Sequence, residues 1–385
     1  MKIIQVFSSF PTKYQPYNTR FIDGICEAKN LKIEIISKVK TDFFPGKYQV
    51  EVIEKSRFET VIRKYSKNIF LYLANYNSLR QFSFKKQLKL VSKFYFVLQN
   101  KEAIFHFHNI QSLNNDVVEY MKNNKIKYVV SLRGYDVTIL PITSESREKF
   151  VIAVLKNAWK IHSVCEDLKI RVVNRFGIEA SKIQTIYRTP KLTSTFKAPI
   201  VEKLDTTINI FTISRIHWKK CLSESLMAIK TLINQGYKVA YHIIGGSEGN
   251  GQEFEKLNYL IIELGLKDVV YLHGYVSEEN YPEFLKDMHI FWMPTLNEGI
   301  PNILYYILKC GFPVIASNVN GIPEVIEHGK NGMLFSNYDF VELYEKTKLI
   351  IDDDGLRVLI QKNAFYTELQ TIEKEIANYI SFYLE

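Results

Sequence analysis

The sequence lacks several features that would place it in a common class of protein. It has only four cysteines in 385 residues, scattered at Cys26, Cys165, Cys221 and Cys310 without the spacing of metal ligands. It has no run of 18 or more apolar residues, so we expect no membrane-spanning helix. The apolar run at the first seven residues is too short for a signal peptide. Few, unpaired thiols are typical of a reducing compartment, so we expect a cytoplasmic protein.

Several kinds of catalytic site are also missing. The sequence contains no P-loop, no Ser-His-Asp order and no His/Cys cluster. The acidic run Asp352-Asp353-Asp354 is better interpreted as a helix cap and a solvated turn than as a metal site. We therefore expect neither a metal nor a cofactor. We also expect no nucleic-acid partner, because the basic part of the chain carries no recognisable binding motif.

Charge divides the sequence into two unlike parts. Residues 1–200 carry a formal net charge of +18 and residues 201–385 carry −9, which together give the +9 of the whole chain. Residues 80–101 concentrate the positive charge between apolar residues. The basic residues of this stretch are Arg80, Lys85, Lys86, Lys89, Lys93 and Lys101. Two interpretations are open: an interfacial helix on an anionic membrane surface, or a helix that packs on its own sheet with solvated lysines.

Apolar runs alternate with helical patterns along the whole sequence, which predicts an α/β protein with parallel sheets. We predict strands at residues 2–7, 32–37, 103–107, 128–132, 160–164 and 181–187, and again at 207–213, 238–244, 269–272, 289–293 and 313–316. Residues 189–205 are rich in Pro, Thr, Ser and Lys and are interpreted as a linker. The predicted domains are residues 1–200 and 205–368, with a terminal helix at 369–385.

A short acidic turn follows the predicted strand at 289–293. It has the sequence Glu298-Gly299-Ile300-Pro301-Asn302 and opens a helix that ends at Gly311. A second turn at residues 320–324 is predicted to open another helix at 323–327. Helix N-termini attract anions, whereas Glu298 would repel a phosphate and accept hydrogen bonds from sugar hydroxyls. The combination predicts a site for a nucleotide sugar.

Two cations are predicted to lie in the same region. Arg215 and Lys220 follow the strand at 207–213 and precede a helix, so they fall at the carboxyl end of that strand. A diphosphate leaving group needs cationic partners, since its charge grows as the glycosidic bond breaks. The alternative is a pair of exposed surface cations without a ligand.

These motifs resemble the donor-binding region of glycosyltransferase family 4, whose members are retaining enzymes with the GT-B fold. The resemblance rests on residues 298–302, on the run from Cys310 to Ala316 and on residues 321–324. It implies two Rossmann-like, doubly wound domains facing a central cleft. It also implies that the terminal helix at 369–385 returns to the N-terminal domain, where Phe382 and Tyr383 would suit the docking. The family's residues that contact the donor correspond here to Arg215, Lys220, Gly245, Tyr275, Glu298, Gly299, Ile300, Pro301 and Asn302. A second Glu, which holds the ribose in the family, is replaced here by Tyr306.

The first half resembles the family more weakly. Arg133-Gly134-Tyr135-Asp136 is similar to an Arg-Gly-x-Asp variant that the family uses in exopolysaccharide synthesis. Arg133 cannot act as a base and is predicted to bind the acceptor or a phosphate. Asp136 and His108 are the acid–base candidates. Their alternatives are a helix cap for Asp136 and a buried, hydrogen-bonded core residue for His108.

The function implied by the resemblance is retaining transfer of a sugar from a UDP-sugar to a saccharide, carried on a lipid, in cell-surface polysaccharide synthesis. Such a protein would work in the cytoplasm at the inner face of the membrane. A different class is also open, because Tyr306 and Arg133 depart from the family pattern: a non-catalytic GT-B partner of another glycosyltransferase. A nucleotide-sugar epimerase, which shares the fold, is a third option.

Overall fold

The computed structural model describes residues 1–11, 16–39, 50–53, 69–189, 196–200, 204, 207–247 and 251–385. The chain forms two compact units: Met1–Tyr187 together with Thr371–Glu385, and Arg188–Gln370. The sequence placed the domain boundary within residues 189–205 and the start of the terminal helix at 369. Of that predicted linker, residues 190–195, 201–203 and 205–206 lie outside the described part of the chain.

The first unit contains a seven-stranded parallel sheet. Its strands are β1 (Lys2–Ser9), β2 (Lys32–Val39), β3 (Val50–Val52), β4 (Ile104–Phe107), β5 (Tyr128–Leu132), β6 (Lys160–Ser163) and β7 (Ile183–Thr185), in the spatial order β3-β2-β1-β4-β5-β6-β7. The second unit contains a six-stranded parallel sheet. Its strands are β8 (Ile208–Ile213), β9 (Val239–Ile244), β10 (Val270–Gly274), β11 (Ile290–Met293), β12 (Val314–Ser317) and β13 (Met333–Phe335), in the order β10-β9-β8-β11-β12-β13.

Helices connect these strands. Those of the first unit are Pro16–Cys26, Tyr76–Leu79, Phe84–Lys93, Tyr95–Gln99, Asn115–Asn123, Tyr135–Thr138, Glu145–Asn157, Glu166–Phe176 and, at the end of the chain, Ile372–Leu384. Those of the second unit are Leu222–Asn234, Gly251–Glu263, Tyr281–Leu285, Asn302–Cys310, Phe340–Asp352 and Asp354–Tyr366. None of the described helices is long and apolar enough to cross a membrane.

The central strands are buried on both faces, which is why they appear in the sequence as continuous apolar runs. All residues of β5 and of β11 are buried. Each sheet is therefore covered by helices on both sides, and the predicted fold of two doubly wound α/β units is confirmed. Strands β3 and β13, each of three residues at a sheet edge, were not predicted.

The strand order positions the candidate site. In the second sheet the order reverses between β8 and β11, and in the first sheet it reverses between β1 and β4. Ligands of open α/β sheets bind at the carboxyl ends of strands beside such a reversal. We therefore expect a ligand to contact the residues that follow β8 and β11 in the second sheet, or those that follow β1 and β4 in the first.

Two local predictions need correction. The predicted helix at 323–327 is only a short 3₁₀ turn, Ile322–Glu324, and the chain turns back there because the side chain of Asn331 accepts a hydrogen bond from the backbone of Glu327 (2.8 Å). The basic stretch at residues 80–101 is not one helix: it is divided between Phe84–Lys93 and Tyr95–Gln99, with a break at Phe94.

Candidate functional site

The loop after β8 is attached to the neighbouring strand β9. The backbone N–H of Ser214 donates to the carbonyl of Ile244 (2.9 Å), and that of Ile216 donates to the carbonyl of Gly246 (2.9 Å). The loop then forms a 3₁₀ turn at Trp218–Lys220 before the helix Leu222–Asn234 begins. This path holds Arg215 and Lys220 at the carboxyl edge of the sheet.

The acidic turn after β11 lies against the same loop. The backbone N–H of Leu296 and the hydroxyl of Thr295 both donate to the carbonyl of Lys219, at 2.8 and 3.1 Å. On its other side, Asn320 accepts hydrogen bonds through Oδ1 from the Asn297 side chain (2.9 Å) and from the backbone N–H of Glu298 (3.2 Å). Three strand ends, those of β8, β11 and β12, therefore fix the position of Glu298.

Lys220 and Glu298 form an ion pair across the reversal in strand order. Their side chains are 17% and 21% exposed, so the pair is largely shielded yet reachable from solvent. Burial alone would raise the pKa of Glu298, but the charges of Lys220, Lys219 and Arg215 outweigh burial and hold that pKa below its usual value. Glu298 is therefore a carboxylate at neutral pH.

The surroundings of this pair are nevertheless positive. Burial, followed by the charges of Lys219, Arg215 and Lys220, lowers the pKa of His217 to about 4, so its imidazole is neutral. The Arg215 side chain is exposed and makes no hydrogen bond or ion pair with the described residues. A small pocket opens beside it, lined by residues 212–214 and 291–295 and by Lys220. The site therefore combines cations for an anionic ligand with one carboxylate.

Gly245 allows the ends of β8 and β9 to approach each other closely. Its φ is +156°, and a Cβ atom at this position would lie 1.8 Å from the carbonyl oxygen of Ser214 and 2.6 Å from its carbonyl carbon. Its backbone N–H donates to the carbonyl of Gly274 (2.7 Å), which connects it to the end of β10. Only glycine fits between these backbones.

The remaining residues predicted to bind the donor lie on nearby segments. Tyr275 directly follows β10 and is 45% exposed. Gly299 is buried, while Ile300, Pro301 and Asn302 are half-buried. Pro301 is extended (φ −71°, ψ 129°) and caps the helix, whose first residue is Asn302 rather than Pro301 as predicted.

Tyr306 lies in the hydrophobic core of the second unit. It is 6% exposed, and its ring centroid is 5.6 Å from that of Tyr281. Burial raises the pKa of the Cys310 thiol, one helical turn further along, to about 12. A role for Tyr306 in binding ribose stays a prediction.

In the first unit, Arg133, Asp136 and His108 meet at the carboxyl ends of β4 and β5. Arg133 donates through Nε to the backbone carbonyl of His108 (3.0 Å) and through Nη2 to its ring Nδ1 (3.0 Å). The His108 Nε2 atom lies 2.7 Å from Oε1 of Gln5. Both ring nitrogens of His108 are thus engaged, which is the arrangement of a buried, hydrogen-bonded histidine.

Asp136 is 4% exposed and sits on the turn after Gly134, whose φ is +109°. Its Oδ1 accepts from the backbone N–H of Arg133 (3.0 Å), and its Oδ2 is buried with no hydrogen-bond partner among the described residues. Burial raises the pKa of Asp136 to about 6, against the lowering effect of backbone hydrogen bonds and of Arg133. It retains one oxygen for a ligand hydroxyl.

Two residues that hold the acidic turn in place, Asn320 and Ser317, were not predicted as site residues. Ser317 accepts a hydrogen bond from the backbone N–H of Thr295 (2.9 Å). Ser317 directly follows the predicted strand at 313–316, and Asn320 opens the predicted turn at 320–324. No group of three His, Cys, Asp or Glu side chains within the described ranges has the arrangement of a metal site.

With this geometry in place, comparison with known proteins gives the class. Residues 195–366 match the family model of glycosyl transferases group 1. This segment, just under half of the chain, is therefore similar to that family, and the resemblance inferred from the motifs is confirmed at this level. The finer assignment to family 4 stays a prediction.

Several curated proteins of bacterial polysaccharide synthesis are similar to the chain. The amylovoran biosynthesis glycosyltransferase AmsK of Erwinia amylovora is 28% identical over 248 residues, which are 60% of this chain and 56% of that protein. An N-acetylgalactosaminyltransferase of Campylobacter jejuni, named for a diphospho-undecaprenol substrate, is 23% identical over 72% of this chain and 70% of its own length. The match spans only about half the length of AmsK.

Solved structures of similar fold cover the whole chain. HepE of Anabaena, in complex with UDP-glucose, superimposes with a TM-score of 0.74 at 16% identity, covering 99% of this chain and 100% of that one. At this identity the likeness concerns the fold, and it confirms the GT-B architecture.

Proposed function

We propose that the protein is a retaining glycosyltransferase that moves a sugar from a UDP-sugar to a saccharide in the synthesis of a cell-surface polysaccharide. One observation carries the proposal: the ion pair of Lys220 with Glu298, with the exposed Arg215 on the same loop as Lys220, lies at the reversal in strand order within the segment that matches glycosyl transferases group 1. The names of similar proteins support the polysaccharide, and the UDP-glucose complex of HepE supports the donor.

The geometry assigns a task to each charged group. Breaking the bond between the anomeric carbon and the phosphate oxygen leaves the bonding electrons on the diphosphate, whose negative charge therefore grows. Arg215 and Lys220 stabilise that charge, and Lys220 has hydrogens to share between Glu298 and a phosphate. Glu298 accepts hydrogen bonds from the hydroxyls of the sugar. The acceptor hydroxyl attacks the anomeric carbon from the face that the diphosphate leaves, so the configuration of that carbon is retained. The hydroxyl gives up its proton to an oxygen of the leaving phosphate.

The acceptor side of the reaction is assigned to the first unit. Arg133 supplies a fixed cation at the end of β5, and Asp136 has a free carboxyl oxygen beside it. These two groups suit a phosphorylated or hydroxyl-rich acceptor. A lipid diphosphate that carries a saccharide has both features, and the Campylobacter relative is named for such a substrate.

A panel of donors tests the proposal. UDP-, GDP- and ADP-sugars are incubated with the purified protein, and slow hydrolysis is followed by release of the nucleotide. Hydrolysis of one UDP-sugar is expected, with glucose-, galactose- and N-acetylhexosamine-containing donors compared at equal concentration. No hydrolysis and no binding of any donor would reject a transferase and favour a non-catalytic GT-B partner.

A specific observation keeps that second function open. Tyr306 occupies the position of the family's ribose-binding Glu, and its ring is buried against Tyr281. Loss of a charged hydrogen-bond acceptor costs roughly 1.5–3 kcal/mol of binding free energy, about tenfold to a hundredfold in affinity. A protein that no longer binds a nucleotide would retain the fold and serve as a partner of another glycosyltransferase.

A membrane-binding surface is the second part of the proposal. We define the apolar-basic surface as Ile69, Phe70, Leu73, Tyr76, Phe84 and Leu88 with Arg80, Lys85 and Lys93. Residues 60–101 contain no acidic residue. Within the surface, Phe70 is 77% exposed, Phe84 67% and Leu73 64%. Exposed apolar residues suit the interface of an anionic bilayer when they lie among cations that, like Arg80, Lys85 and Lys93, form no ion pair with the described part of the chain.

The two helical segments of this surface are tied together. The hydroxyl of Tyr72, in helical residues 69–74, donates to Oε1 of Gln87 in the helix Phe84–Lys93 (2.8 Å). Gln87, Leu90 and Val91 are buried. The helix Phe84–Lys93 therefore packs on its own unit and also presents exposed apolar residues, so features of both interpretations of the sequence are present.

Vesicle flotation tests the membrane surface. The variant F70S/L73S/F84S/L88S is expected to lower the partition of the protein onto phosphatidylglycerol-containing vesicles by about tenfold or more, because the apolar side chains no longer enter the bilayer. The matched control is V341S/Y366S, which changes residues that are 69% and 75% exposed in the second unit. Equal partition of wild type and the fourfold variant would reject this surface, as would the absence of binding to any vesicle.

A further inference from the structure

The first unit contains a buried network of polar side chains beneath the candidate acceptor site. Four of its members are isolated polar residues inside the apolar strands of the parallel sheet: Gln5 on β1, His106 on β4, Ser131 on β5 and His162 on β6. Each of the four is 0% exposed. Buried polar groups need hydrogen-bond partners, so the network has to be satisfied internally.

The direction of the hydrogen bonds at one end is set by Arg133. A guanidinium can only donate, so Nδ1 of His108 accepts from Arg133 and carries no hydrogen. The neutral ring then has its hydrogen on Nε2, which donates to Oε1 of Gln5 (2.7 Å). The amide nitrogen of Gln5 in turn donates to the hydroxyl oxygen of Tyr383 (3.1 Å).

The direction at the other end is set by a backbone carbonyl. The carbonyl of Ile186 can only accept, so it receives the Nε2 hydrogen of His162 (3.1 Å). The Tyr379 hydroxyl lies beside the same ring, 3.1 Å from Nε2 and 3.2 Å from Nδ1. The neutral His162 accepts at Nδ1 from the hydroxyl of Ser131 (2.8 Å), and Ser131 accepts from Nε2 of His106 (2.7 Å). The His106 Nδ1 atom then accepts from the hydroxyl of Tyr383.

The two halves of the hydrogen-bond chain meet at the Tyr383 hydroxyl, and their hydrogen bonds run in the same direction. Its oxygen accepts from Gln5 and its hydrogen goes to His106, so every donor between Arg133 and Ile186 points the same way. With neutral rings, this pattern places the hydrogen of His106, His108 and His162 on Nε2. An extra proton on any of them would place two hydrogens in one hydrogen bond or leave a buried group unsatisfied.

We infer that Tyr383, on the terminal helix Ile372–Leu384, is a positioning residue for Arg133. Tyr383 is 1% exposed and lies 378 residues from Gln5 in the sequence, yet it is the junction of the network. It orients the Gln5 amide, which fixes the His108 ring, and the ring holds the Arg133 guanidinium. The inference concerns the structure of the first unit, and its consequence for turnover rests on the proposed function.

Histidine nitrogen spectra test the inference without any activity. In protein labelled with ¹⁵N-histidine, correlations between ring protons and nitrogens distinguish the Nε2–H from the Nδ1–H form. His106, His108 and His162 are expected to show the Nε2–H form. In Tyr383→Phe the Nδ1 atom of His106 loses its donor and the Gln5 amide loses its acceptor, so signals of both His106 and His108 are expected to shift, together with the Arg133 Nε–H signal.

Tyr379→Phe is the matched control. Tyr379 lies one turn earlier on the same helix and is equally buried, and its hydroxyl is 3.1 Å from Nε2 of His162. Its replacement is expected to shift His162 and to leave His108 and Arg133 unchanged. An Nδ1–H form for any of the three histidines, or unchanged His108 and Arg133 signals in Tyr383→Phe, would overturn the inference.

If a donor is hydrolysed, a double-mutant cycle adds a kinetic measurement. Tyr383→Phe is expected to lower turnover about fivefold to tenfold alone and to have little further effect in Arg133→Ala, because both act through one group. Independent, multiplying effects would contradict positioning through Arg133. If no donor is hydrolysed, the proposed function fails and the spectra still decide the role of Tyr383.

Discussion

Replacing Arg215 with alanine is expected to lower turnover of the donor by about a hundredfold or more. The side chain is exposed and makes no hydrogen bond or ion pair with the described residues, so its removal leaves the packing of the loop unchanged. What is lost is a cation at the place where the leaving diphosphate gains charge. The measurement is the rate of nucleotide release at saturating donor, with the unfolding midpoint of the same samples recorded in parallel.

Lys238→Ala is the control for Arg215→Ala. Lys238 is also exposed, but it precedes β9 and so lies at the opposite edge of the same sheet. The Lys238→Ala substitution removes one positive charge without changing the candidate site, so the turnover of this variant is expected to equal that of the wild type. Equal turnover of wild type and Arg215→Ala would remove Arg215 from the diphosphate site.

Replacing Gly245 with alanine is expected to have the second large effect. The added Cβ would lie 1.8 Å from the carbonyl oxygen of Ser214, so the ends of β8 and β9 must separate. Overpacking of this kind typically lowers the free energy of unfolding by about 1–3 kcal/mol. This variant falls at the upper end of that range, because its neighbour is a backbone carbonyl that cannot rotate away as a side chain could. We expect the free energy of unfolding to fall by about 3 kcal/mol. Donor binding should be lost as the loop carrying Arg215 moves.

Gly251→Ala provides the comparison. Gly251 opens the helix Gly251–Glu263, and a Cβ atom there would have no neighbour within 4 Å. Its stability and donor binding, measured by urea unfolding and calorimetry, are expected to match wild type. If Gly245→Ala behaved like Gly251→Ala, the close approach between the two strand ends would not be needed for the site.

The fold could be predicted because its central strands are visible in the sequence as continuous apolar runs. Residues 128–132 were predicted as a strand from an apolar run, and β5 spans the same residues, since a strand covered on both faces needs no polar alternation. The three-residue strands β3 and β13 were not predicted, because three residues are too few to show an alternation and each strand is held by pairing with one neighbour at a sheet edge.

The charged residues of the candidate site were named from their place after predicted strands, but their mutual geometry was not. The pairing of Lys220 with Glu298 arises because β8 and β11 are neighbours at the reversal in strand order, which only the folded sheet shows. The surroundings of the Tyr306 side chain could not be predicted either. Its position on the helix was evident from the sequence, but the packing of Tyr281, from another segment, against its ring was not. Tyr383 was expected to dock the terminal helix on the N-terminal domain, but its hydrogen bond with Gln5, 378 residues earlier in the sequence, was not predicted.

Calorimetric titration of UDP into the wild type and into Lys220→Met tests the central claim most directly. Methionine keeps the length of the side chain and removes the charge that pairs with Glu298. We expect UDP to bind the wild type and its Kd to rise by about tenfold or more in the variant, because a charge-assisted hydrogen bond to phosphate is lost. Equal affinity for the two proteins would show that the nucleotide binds elsewhere, and no binding of UDP, GDP or ADP to the wild type would contradict a donor site at the ends of β8 and β11.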